Sequence, residues 1–98
     1  MLRMTFEIFV ESVNDDFPPA GINPLLLSLW YDAKGDWEKS HDIISEVNTK
    51  EAAFIHAYLH RKEGDIWNAD YWYRQTGEKR RDITLEEEWR SLVDRFTV

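Results

Sequence analysis

The sequence predicts an all-α fold of about six helices, and three observations predict it. Apolar residues recur at helical spacing along most of the chain, with almost no alternation of period two. Strong helix starts punctuate that periodicity at Asn23-Pro24, Asp36, Thr49, Asp65 and Thr84. A Gly-Asp pair stands at 35–36 and again at 64–65, each time where one predicted helix ends and the next begins.

The elements follow in order. Phe6, Phe9, Val10 and Val13 lie at i, i+3, i+4 and i+7 and form the stripe of a first helix. Asn14-Asp15-Asp16 and the Pro18-Pro19 pair end it, because proline removes a donor and disfavours helix in the residue before it. Asn23 caps a second helix with Pro24 at its first position, and Gly35 is free to close it in the left-handed conformation. Asp36 caps a third helix, whose apolar positions are Trp37, Ile43, Ile44 and Val47. Thr49 opens a fourth that runs to Gly64, and Asp65 opens a fifth that runs to about Thr76. Residues 78–83 read as a polar loop. Thr84 with Glu87 makes a capping box, and Leu85, Trp89, Leu92, Val93 and Phe96 stripe a last helix. Residues 1–98 are then one domain: an N-terminal helix and Pro-rich connection (1–23), two helical hairpins (24–77), and a loop with a capping helix (78–98).

Composition narrows the function classes. At 98 residues the chain has one small core to build, and 14% aromatic residues supply it. There is no cysteine, which excludes disulfides, thiolate metal sites and Cys nucleophiles, and fits a reducing, cytoplasmic setting. Met1 to Ser12 carry Arg3, Glu7 and Glu11 and lack the apolar core of a secretory signal, and no apolar run is long enough to span a bilayer. A net charge of −7 works against nucleic acid and anionic membrane as partners. The basic cluster Lys79-Arg80-Arg81 reads as a solvated turn. No phosphate loop, nucleophile elbow or calcium loop is present.

The segments Trp30-Tyr31-Asp32-Ala33-Lys34-Gly35-Asp36-Trp37 and Leu59-His60-Arg61-Lys62-Glu63-Gly64-Asp65-Ile66 are alike, and their glycines lie 29 positions apart (35 to 64). Paired in this way, the hairpins resemble the tetratricopeptide repeat, whose unit is about 34 residues. Ala57, Ala69 and Tyr73 match its small and aromatic sites in the second unit, while Ala53, His56 and His60 stand where Trp, Leu and Tyr belong. In the first unit Leu27, Ser28, Tyr31, Ser40 and Ile44 take the corresponding places, with Pro24 at the Trp site. Neither unit has the terminal proline, and the period is short. The resemblance covers 24–77 and implies stacked hairpins, a scaffold used for many partners. The stretch from Ile55 to Tyr73 also looks like a signature of small bacterial and fungal proteins, which implies no activity.

Two constellations are candidate sites. His56 and His60, at i and i+4, share a helix face as two zinc ligands would. His41 is the third histidine, and Asp42, Glu63, Asp65 and Asp70 are the nearest acids in the chain. The glutamate that a zinc protease places after its first histidine is Ala57 here, so that mechanism is absent. Structural use of both rings is the leading expectation, with no metal and no cofactor. The second constellation is Trp67, Asp70, Tyr71 and Arg74 on the fifth helix. The bland reading buries both aromatic faces, one on the preceding helix and one on the last. The sharper reading leaves Trp67 and Tyr71 open as a binding surface, and Asp70 with Arg74 forms an i,i+4 ion pair. The expected function is therefore a non-catalytic module that binds a protein, a peptide or a second copy of itself. The alternative is a metal-binding protein or enzyme built on His56 and His60 with a nearby acid.

Overall fold

The computed structural model describes residues 3–98, which leaves Met1 and Leu2 of the expected 1–23 segment outside. Its helices are α1 (Phe6–Ser12), α2 (Pro24–Ala33), α3 (Trp37–Ser45), α4 (Lys50–Lys62), α5 (Ile66–Thr76) and α6 (Leu85–Phe96). No strand forms among the described residues. Each helix opens on a side-chain oxygen that accepts from the backbone three residues on: Thr5, Asn23, Asp36, Thr49, Asp65 and Thr84. Thr84 and Glu87 close the full capping box.

α2 pairs with α3 and α4 with α5, and the two turns repeat one another. Gly35 and Gly64 take φ of 86° and 87°, in the left-handed region that glycine tolerates. The next amide, of Asp36 or Asp65, then reaches back to Tyr31 O or His60 O at 2.9 Å. Small residues stand where the helices of each pair cross. Ser28 Oγ lies 2.8 Å from Ser40 O and 2.9 Å from Ser40 Oγ, while Ala57 and Ala69 are fully buried against one another with Tyr73. Gly64→Val should destabilise by about 1 kcal/mol or more, because a β-branched residue is strained at positive φ. Nothing lies within 4 Å of an added Cβ, so no clash at that atom adds to the torsional cost. Urea unfolding measures it, and an unchanged midpoint would contradict this account of the turn.

α4 runs through the centre, buried without interruption from Ala52 to His60. Around it lie Phe9 of α1, Leu26, Leu29 and Trp30 of α2, Ile44 of α3, and Trp89, Leu92 and Val93 of α6. Two buried carboxylates tie the outer helices to its last turns. Asp32 accepts from Tyr58 Oη at 2.7 Å and Lys62 Nζ at 2.8 Å. Glu88 accepts from Arg61 Nη1 at 2.7 Å and Tyr73 Oη at 2.6 Å, and Arg61 Nη2 also donates to Ile83 O. Burial and these acids push both tyrosine hydroxyls above their ordinary range.

Two expectations are corrected. α6 does not cover the second aromatic face of α5: it packs on α4, α2 and α1, because its stripe of Trp89, Leu92 and Val93 belongs to the main core. Asp70 does not pair with Arg74. Arg80, brought back by the loop after α5, takes its carboxylate at 3.0 Å instead.

Candidate functional site

The three histidines meet between the two hairpins. His41 comes from the middle of α3, and His56 and His60 come from successive turns of the α4 face that looks toward it. One ring nitrogen from each lies within 4.8 Å of the others. Ring centroids are 5.3 Å apart for His41 and His56, 5.2 Å for His41 and His60, and 6.2 Å for His56 and His60. His56 and His60 are each 7% exposed, whereas His41 stands partly open at the edge.

Indoles fix these rings from two sides. Trp72 of α5 stacks on His56 at 4.0 Å and 9°, and Trp37 stacks on His41 at 4.9 Å and 7°. Trp37 is itself held by an Nε1 hydrogen bond to Leu59 O at 2.8 Å. The rings thus converge on one another and pack against tryptophan at the same time.

Hydrogen bonding in the cluster is sparse. His60 Nδ1 lies 2.7 Å from Glu63 Oε1, the one side chain that meets a ring nitrogen here among the described residues. Glu63 and Asp65 also form a second cluster with His60. His56 Nδ1 is buried with no partner among the described residues. Leaving a buried polar atom unsatisfied costs about 1–3 kcal/mol, so it calls for an explanation. Burial, then the neighbouring His41 and His60, push His56 down to about 4. Burial and His60 also lower His41, against the opposing pull of Asp42 and Glu63. Both shifts favour the neutral ring, the form in which imidazole donates a lone pair.

The second constellation lies on the far side of α5. That helix rests its backbone on α4 alone, burying Ala69, Tyr73 and Thr76. At 100° per residue Trp67, Tyr71 and Arg74 fall together on the opposite face, at i, i+4 and i+7. Trp67 is 78% exposed and Tyr71 42%. Arg74 is exposed and forms no ion pair among the described residues. Asp70 lies at the border of this face, occupied by Arg80.

Sequence reasoning named His41, His56, His60, Trp67, Asp70, Tyr71 and Arg74, and the structure divides them into these two groups. It missed Asp32 and Glu88. The signal for Glu88 was present, since it falls on the α6 stripe between Leu85 and Leu92. Among the described residues no helix is long and apolar enough to cross a membrane. The chain matches no family model, no curated protein and no solved structure.

Proposed function

We propose that this chain is a non-catalytic protein-binding module of the helical-repeat kind, and that α5 presents its docking face. The observation that carries the reading is the line of Trp67, Tyr71 and Arg74 along one open side of a well-packed helix. These three residue types dominate the energetics of protein interfaces. Aromatic rings bring large apolar area with few rotatable bonds, and a guanidinium brings a fork of donors for a carboxylate. A fold that needed Trp67 for stability would bury it. Here nothing among the described residues covers it, and the paired hairpins with matching turns support a scaffold that stacks against other chains.

The occupant that this face fits is a folded or helical segment with an apolar pocket for the Trp67 ring and an acid for Arg74. The chain's net charge of −7 favours a partner that is basic elsewhere on its surface. The test compares the proteins recovered by proximity labelling from cells expressing the native chain and the Trp67→Ala/Tyr71→Ala variant. Both positions are exposed, so the variant should keep its melting temperature. Its recovered partners should fall at least tenfold, the effect of losing two interface anchors. An unchanged partner set at equal expression would rule out this face.

A further inference from the structure

We infer that His41, His56 and His60 together form a binding site for a divalent transition-metal ion of the zinc class. The first support is geometric. With metal–nitrogen bonds of about 2.0–2.1 Å and tetrahedral angles, two ligating imidazoles have ring centroids about 5 Å apart. The separations involving His41 are 5.3 and 5.2 Å, close to that value, and the third is 6.2 Å.

The second support is the unpartnered nitrogen. His56 is 7% exposed and its Nδ1 has no hydrogen-bond partner, whereas coordination through that atom would supply one. His60 shows the complementary state. Its Nδ1 sits against Glu63 at 2.7 Å, which places the proton there and leaves the Nε2 lone pair for a metal. A carboxylate behind a histidine is the usual outer partner of a metal-bound imidazole. Stacking on Trp72 and Trp37 holds His56 and His41 in place, so the rings need little ordering when an ion arrives.

Packing alone explains this cluster poorly. Three imidazoles that merely filled space would be expected to hydrogen-bond to one another or to the backbone, and among the described residues only His60 has a protein partner. The donor set also selects the ion. Imidazole without thiolate suits zinc, copper(II), nickel(II) or cobalt(II) over the oxygen-seeking magnesium and calcium. Three protein ligands leave a fourth position for water or a small oxygen or nitrogen ligand, and His41 is the partly exposed ring of the three. This site is independent of the α5 docking face.

The experiment uses the full chain without an affinity tag, stripped with chelator and titrated with zinc chloride or cobalt(II) chloride. One zinc per chain should bind and raise the melting temperature, and cobalt should develop the intense visible bands of tetrahedral coordination. His41→Ala, at the open edge, should abolish both effects, and Glu63→Gln should weaken affinity about 10–100-fold. Absence of saturable binding, or equal binding after His41→Ala, would overturn the proposal. If His41→Ala does not fold, X-ray absorption on the zinc-loaded native chain decides. Three imidazole ligands support the site, and one imidazole with carboxylates, as the His60, Glu63 and Asp65 cluster would give, overturns it.

Discussion

Deleting residues 84–98 should abolish the cooperative thermal transition altogether. That segment carries Trp89, Leu92 and Val93 into the main core, where the Trp89 ring lies 6.1 Å from Phe9 and its Nε1 donates to Leu29 O at 3.1 Å. Truncating one such Trp or Leu costs about 2–5 kcal/mol. Removing three core residues and the buried Glu88 together therefore matches or exceeds the roughly 5–15 kcal/mol that holds a domain of this size. The loss falls on the main core rather than on α5, since the α2–α4 interface loses its cover. The shortened chain should lose its near-ultraviolet dichroism, bind a hydrophobic dye, and melt without a sigmoid. A sharp transition near the full-length midpoint would show that the two hairpins stand without α6.

Glu88→Ala should cost about 3–5 kcal/mol, the usual result of breaking a buried ion pair from one side. The substitution leaves Arg61 mostly buried without its acid and the Tyr73 hydroxyl without an acceptor. Glu87, the residue before it, is a control. It caps Thr84 at the surface, so Glu87→Ala should lose much less. Guanidinium unfolding of the two variants checks the pair. Equal losses would mean that the contact with Arg61 contributes nothing specific.

Much of this molecule is legible in the chain because its signals are local. Caps, helix periods and the two Gly-Asp turns each depend on residues within one or two turns, and the elements fall where those signals put them. Partnerships between helices are not local. Asp70 was close enough to Arg74 to suggest a pair, yet Arg80 from the following loop reaches it instead. The α6 stripe announced an apolar face without saying which helix receives it, and the receiver is α4 with α2 rather than α5. The histidines show the same limit. Spacing put His56 and His60 on one face of α4, but only the packing of α3 beside α4 brings His41 to them.

The central helix has a consequence for how this sequence can vary. From Ala52 to His60, α4 has no outside. A smaller residue there leaves a void, a larger one collides, and a charged one loses water without gaining a partner. A library randomised over that stretch would hold few folded members, while one randomised over the exposed residues 78–82 would hold many. The first hairpin places Leu27 and Tyr31 at the positions, 29 residues earlier, that correspond to 56 and 60. The chain keeps imidazoles instead, in the part of its sequence that has the least room for a polar ring.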